Sequence, residues 1–308
     1  MQRFPKLPTL VGGLGLYLCI SAQGMYPVNS GFVYGDDALQ RAENTTQETH
    51  QGTNIVYRED VVYGRVHGAG LLADIAYPEP ALRLPVILSV HGGRWQGGHK
   101  KDASAIDVRE WAECGFFAMS IDYRLVGASP PPACYQDLQC AIRFLHANAA
   151  RLNIDPERIY LIGQSAGGHM VSLAATLGDG PYPRTGGWEN YSNQIAAVIS
   201  VAANYELNSL SWGKIWKPTE GDPVASRRQA SPVSHVRKGM VPILIIHSDD
   251  DKSVPIANAQ LMAEALDGVG AEYTFHRYKS AGHMGITEEV KLRSREFIDK
   301  HEKKQQRR

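Results

Sequence analysis

The chain has 308 residues, enough for one large α/β domain or two small ones. Hydrophobic residues make up 43% and charged residues 21%, an ordinary globular composition that excludes a largely disordered chain. Lys+Arg and Asp+Glu balance at 32 each, so no broad charge field favours nucleic acid or an anionic membrane surface.

The chain opens like a secretory signal. Arg3 and Lys6 precede an uncharged, mostly apolar run at 10–20, too short to span a bilayer comfortably. Ser21-Ala22-Gln23-Gly24 then offers small residues for cleavage. Residues 1–24 are therefore expected to be a signal peptide. The mature protein is expected to be secreted or periplasmic, with no stable membrane association after cleavage. Cleavage would remove Cys19 and leave Cys114, Cys134 and Cys140, an odd number. Cys134 and Cys140 can pair only if Cys134 lies ahead of its helix. Six residues apart on one helix, they would face different ways. Packed thiols or one local disulfide are expected, and no metal-ligand spacing occurs.

Residues 25–54 read as a polar linker or N-terminal arm, rich in Gln, Thr, Glu and Asn between 36 and 53. Short antiparallel edge strands are expected at 55–57, 61–63 and 71–77. From residue 84 apolar runs alternate with helix-length segments. The runs fall at 86–90, 116–121, 159–162, 197–201, 243–246 and 273–275. Helices are expected near 102–113, 135–150, 166–177, 256–269 and 287–301. That alternation predicts an α/β fold with a mostly parallel sheet covered on both faces, as one domain over 55–308. Two helix-poor stretches, 178–194 and 204–234, carry Tyr182, Trp188, Tyr191, Tyr205, Trp212 and Trp216. These aromatics would either wall a cleft or cap the core edge.

The run Ile159-Tyr160-Leu161-Ile162 leads straight into Gly163-Gln164-Ser165-Ala166-Gly167-Gly168. A strand, Gly-x-Ser-x-Gly, then a helix is the layout of a nucleophile elbow: a sharp turn that projects the serine hydroxyl from the sheet edge. The five-residue pattern alone arises by chance in roughly one such chain in ten, so the other parts must decide. A serine nucleophile needs a histidine base, an acid to orient that base, and N–H donors for the oxyanion. They are expected in the order oxyanion loop, serine, acid, histidine. His91-Gly92-Gly93-Arg94-Trp95, after the run 86–90, supplies the loop. The expected donors are the main-chain N–H groups of Gly92, Gly93, Arg94 and Ala166. His91 is read as bracing that loop. Trp95 and Gln164 are candidate substrate contacts. After the run 243–246 come Asp249, Asp250 and Asp251, and physics alone does not choose among them. His283, in Ala281-Gly282-His283-Met284-Gly285, is the expected base, whereas His169 and His276 lie inside a helix and a strand pattern.

Together these pieces resemble the α/β-hydrolase esterases of the hormone-sensitive-lipase and carbohydrate-esterase type, most of all the branch with bifunctional feruloyl and acetyl-xylan esterases. The matching segments are His91-Gly92-Gly93-x-Trp95, Asp122-Tyr123-Arg124-Leu125, Gly163 to His169, Ala230-Ser231-Pro232, His247-x-x-x-Asp251-x-x-Val254-Pro255 and Gly282-His283. The resemblance implies an α/β-hydrolase fold and a serine carboxylic-ester hydrolase with the triad Ser165, Asp251 and His283. It places the acid at Asp251 and makes Asp122, Tyr123 and Arg124 a structural unit behind the site. It points to small acyl esters, such as acetyl or feruloyl groups of plant polysaccharide, and calls for no cofactor or metal. Arylformamidases and serine peptidases share this machinery, and an inactive binding module can share the fold. Two positions depart from the family pattern. Arg94 stands where Gly or Tyr is usual, and Ser248 where Gly follows His.

Overall fold

The computed structural model describes residues 45–50, 53–80 and 83–306. The expected signal peptide and most of the expected arm lie outside these residues. A nine-stranded sheet runs through the described chain in the order β1-β2-β3-β5-β4-β6-β7-β8-β9. Its strands are β1 (Thr45–His50), β2 (Thr53–Val66), β3 (Ala69–Glu79), β4 (Leu84–Val90), β5 (Phe117–Ile121), β6 (Ile154–Gln164), β7 (Ala197–Val201), β8 (Ile243–Ser248) and β9 (Tyr273–Tyr278). The first three strands and β5 pair antiparallel, and the remainder pair parallel. The expected parallel sheet with an antiparallel N-terminal edge is what forms.

Both faces of the sheet are buried, which is why its central strands read as continuous apolar runs. Along β4, Val86, Leu88 and Val90 join one core cluster while Ile87 joins the other. Helices α2 (Ala133–Ala147), α4 (Ala166–Thr176) and α6 (Ala257–Val269) cover the first face. Helices α1 (Val108–Glu113) and α7 (Glu288–Gln305) cover the second. Two short helices, α3 (Ala149–Leu152) and α5 (Pro223–Gln229), complete the set. No helix among the described residues is long and apolar enough to cross a membrane.

Three expectations change, and the cysteines take one of their two expected states. Residues 45–50, read as part of the arm, form the edge strand β1, paired Thr45 to Arg58 through His50 to Thr53. Its polar sequence hid a strand held by main-chain pairing. Segments 55–57 and 61–63 are one strand, interrupted by a register shift at Asp60, which adopts a positive φ of 55°. The helix expected near 102–113 begins only at Val108, where Asp107 caps the N–H of Arg109. Cys134 and Cys140 both lie on α2 as free, buried thiols, and Cys114 is free and exposed. No local disulfide forms, because the helix turns the two side chains apart.

The two aromatic stretches divide in role. Trp188 donates its indole N–H to Tyr63 O at 2.8 Å, and Arg143 reaches from α2 to Thr185 O at 2.7 Å. The stretch 178–194 is thus fastened over α2 and β2 and caps the core edge. The stretch 204–234 buries Tyr205 and Trp216 but leaves Trp212 half-buried beside the loop after β8.

Candidate active site

The C-terminal ends of β4, β6 and β8, and the loop after β9, bring the expected residues to one edge of the sheet. Ser165 sits between β6 and α4, as the helix N-cap, with φ 53° and ψ −114°, a positive φ in a non-glycine residue. Such strain persists only where the surroundings impose it. Ser165 N–H donates to Val201 O at 2.8 Å, and its carbonyl accepts from His169 N–H at 2.9 Å. Gly167 allows the helix to lie against the oxyanion loop, since a Cβ there would overlap Val90 O and His91 O. The serine is 4% exposed.

The three aspartates separate cleanly. Asp249 pairs with Arg277 at 2.5 Å on the surface. Asp250 accepts from the N–H groups of Ala281 and Gly282. Asp251 Oδ2 accepts from His283 Nδ1 at 2.8 Å, and its Oδ1 accepts from the N–H groups of Ser253 and Val254 at 2.8 and 2.9 Å. Asp251 is 5% exposed, while the His283 side chain is 28% exposed. Burial pushes the Asp251 carboxyl up, but the His283 contact and the two N–H groups outweigh it and hold it below the ordinary carboxylate range. An ionised Asp251 makes Nδ1 the donor and leaves Nε2 of His283 as the basic nitrogen.

Gln164 links this half to the elbow. Its Nε2 donates to Met284 O at 2.9 Å, which fastens the residue before Ser165 to the residue after His283. Ser165 Oγ makes no hydrogen bond among the described residues. Catalytic hydrogen bonds are often long or poorly aligned before substrate arrives and tighten afterwards.

The oxyanion loop is strained and braced. Arg94 and Trp95 both have positive φ, 54° and 59°. His91 Nδ1 donates to Gly92 O at 2.7 Å and its ring stacks on Tyr123 at 4.2 Å, so it braces the loop as expected. Tyr123 Oη donates to the carbonyls of His91 and Gly92. Arg124 grips Asp137 through Nε and Nη2, and Asp122 accepts from the Lys100 N–H at 2.8 Å. Asp122, Tyr123 and Arg124 therefore do stand as a structural unit behind the loop.

Three expected roles do not survive. The Gly92 N–H is taken by Ser104 Oγ at 2.9 Å, so it is not free for an oxyanion. The N–H groups of Gly93, Arg94 and Ala166 carry no hydrogen bond among the described residues and remain available. Trp95 is wholly buried against His169, Trp212 and Trp216, so it presents no surface to a substrate. Gln164 is buried and spent on Met284, which makes it a tether between loops. The Arg94 guanidinium lies over the Trp212 ring at 5.6 Å, and Trp212 Nε1 donates to Ser253 O at 2.9 Å. Ser104 was not singled out by the sequence, and Asp250 was named only as one of three candidate acids. Only the unusual residue at 248 offered a signal.

His169 is buried, with Nε2 donating to Ala230 O at 2.7 Å, and burial lowers its pKa to about 4. It is a packing histidine. His276 lies within β9, half-buried.

The BD-FAE family model matches residues 73–266, well over half of the chain and from β3 through most of α6. The chain belongs to the BD-FAE family. The match takes in the loop His91 to Trp95, the turn at Ser165 and Asp251 of this BD-FAE chain, and His283 follows it. Esterase LipQ of Mycobacterium tuberculosis is 27% identical over 77% of this chain and 59% of its own length. The chain thus spans little more than half the length of the curated relatives it matches. Two solved structures share the architecture. The acetyl ester-xyloside bifunctional hydrolase of Caldicellulosiruptor lactoaceticus has a TM-score of 0.65 and 26% identity, covering 75% of this chain and 88% of that one. Thermogutta terrifontis esterase 2 phosphonylated by cyclosarin has a TM-score of 0.66 and 25% identity, covering 84% and 95%. This BD-FAE protein has the α/β-hydrolase fold.

Proposed function

We propose that this BD-FAE chain is a serine carboxylic-ester hydrolase that works through an acyl-enzyme. The observation that carries the reading is the buried Asp251 carboxylate hydrogen-bonded at 2.8 Å to Nδ1 of His283. That bond fixes the tautomer a serine nucleophile requires. The strained elbow at Ser165 and the unspent N–H groups of Gly93, Arg94 and Ala166 supply the remaining parts.

Ser165 Oγ attacks the ester carbonyl carbon as its proton passes to Nε2 of His283. The carbonyl π electrons move onto oxygen, where the N–H groups of Gly93, Arg94 and Ala166 stabilise the negative charge. The intermediate collapses, the C–O bond to the alcohol breaks, and His283 returns the proton to the departing oxygen. Water, deprotonated by the same nitrogen, then attacks the acyl-enzyme and releases the acid and free serine. Asp251 stays ionised throughout and steadies the imidazolium.

The substrates we propose are small acyl esters, such as acetyl or feruloyl groups on plant polysaccharide. The naming of one structural relative as an acetyl ester-xyloside bifunctional hydrolase supports this choice. The basic residues and apolar run at the N-terminus support secretion or periplasmic export. The test is turnover of a panel spanning acetyl to octanoyl p-nitrophenyl esters, acetyl-xylan and methyl ferulate. The short esters should be hydrolysed, and Ser165→Ala should abolish turnover with folding intact. A wild-type protein inactive on the whole panel contradicts the proposal.

A further inference from the structure

His283 stands on the loop that follows the edge strand β9, far along the chain from the serine it must serve. Its ring is held by Asp251, but a ring on an edge loop also needs its main chain held. Asp250 Oδ1 accepts from Gly282 N–H at 2.8 Å and from Ala281 N–H at 3.0 Å, the two residues immediately before His283. Ser248 Oγ, buried at the end of β8, accepts from the same Ala281 N–H at 2.8 Å and donates to Asp250 Oδ1 at 2.6 Å. One carboxylate oxygen thus gathers three hydrogen bonds, two of them from the main chain of the histidine loop. Charge-assisted bonds of this kind are stronger than neutral ones.

We infer that Ser248 and Asp250 are positioning residues for the reaction: together they clamp the main chain of 281–282 so that His283 rests on Asp251. The inference rests on the reading of His283 as the base. Consecutive aspartates divide the work, with Asp250 holding the backbone of the loop and Asp251 holding the ring. A glycine at 248 would have no side-chain oxygen to offer. The clamp acts through geometry, since a misplacement of about 1 Å in a reacting group can cost on the order of a hundredfold in rate.

The test compares wild type with Asp250→Ala, Asp250→Asn and Ser248→Gly, measured on p-nitrophenyl acetate. Asp250→Ala leaves the Gly282 N–H without its acceptor and the Ala281 N–H with Ser248 Oγ alone. Its kcat should fall by roughly ten- to a hundredfold with KM within about twofold of wild type. Asn offers a side-chain oxygen in the same place, so Asp250→Asn should recover kcat to within about threefold of wild type. Ser248→Gly, which keeps Asp250, should fall between the two. The low-field proton resonance of His283 Nδ1–H should be sharp in wild type and Asp250→Asn and broadened in Asp250→Ala. Wild-type kcat and a sharp resonance in Asp250→Ala overturn the clamp. So does a loss that Asn fails to recover, or one matched by a loss of melting temperature. If Asp250→Ala does not fold, Ser248→Gly decides alone: unchanged kcat and resonance overturn the clamp. A wild type that hydrolyses no ester overturns the proposed function instead.

Discussion

Gln164 Nε2 donates to Met284 O at 2.9 Å, and this bond ties the shoulder of the serine elbow to the shoulder of the histidine loop. The two residues are far apart in sequence and both are buried. The Gln164 side chain also lies against the oxyanion loop, where a Cβ on Gly92 would collide with its Oε1. One amide therefore touches three parts of the site.

Gln164→Ala should leave a buried carbonyl without its donor. Such a loss typically costs about 1–3 kcal/mol. Denaturant unfolding should show it, and kcat should fall in the same variant because His283 loses a tether. Unchanged stability and turnover would show that Gln164 links nothing of consequence.

The three aspartates should differ sharply. Asp251→Asn keeps an oxygen for the N–H groups of Ser253 and Val254 but turns an NH2 group towards His283 Nδ1, which selects the wrong tautomer and should lower kcat by about four orders of magnitude. Asp249→Asn breaks only an exposed pair with Arg277 and should leave turnover and stability close to wild type. Steady-state kinetics on p-nitrophenyl acetate check both. Similar losses in the two variants would contradict the assignment.

His169 makes stability depend on pH. Its folded pKa is lowered by burial to about 4, against an ordinary value of 6.5. Below pH 6.5 the unfolded chain binds a proton that the folded chain refuses, so stability falls as pH drops from 6.5 towards 4. Between pH 7 and pH 5 the loss from this residue should be about 2 kcal/mol. His91 and His247, also lowered by burial, act with the same sign. Urea unfolding at both pH values should show a smaller difference in His169→Gln than in wild type. An equal difference would show that His169 does not contribute.

The thiols should react in two classes. Cys114 is exposed, whereas Cys134 and Cys140 are buried on α2 and burial raises both thiol pKa values. A thiol-specific disulfide reagent should modify Cys114 in the native protein and the other two only after unfolding. Protection of Cys134 and Cys140 in denaturant would reveal the disulfide that the helix geometry forbids.

The sequence carried the sheet because strands buried on both faces must be apolar throughout, as residues 86–90 and 159–162 are. It carried Ser165 because close packing at the elbow demands glycine on both sides. The strand at 45–50 was not legible, since an edge held by main-chain bonds needs no apolar pattern. The spent N–H of Gly92 was equally hidden, because its partner Ser104 is a neighbour only in the folded chain. Trp95 misled for a related reason: an aromatic in a functional loop looks like a wall, yet this one points into the core. The choice among Asp249, Asp250 and Asp251 needed either the family likeness or the folded loop, because their chemistry is identical and only their neighbours differ.

The central claim is that Ser165 is a nucleophile activated by His283. Labelling with a fluorophosphonate, followed by peptide mass spectrometry, tests it most directly. The predicted result is a single adduct on Ser165, absent in Ser165→Ala and strongly slowed in His283→Ala. No adduct on the folded wild-type protein, or an adduct on another serine, would contradict it.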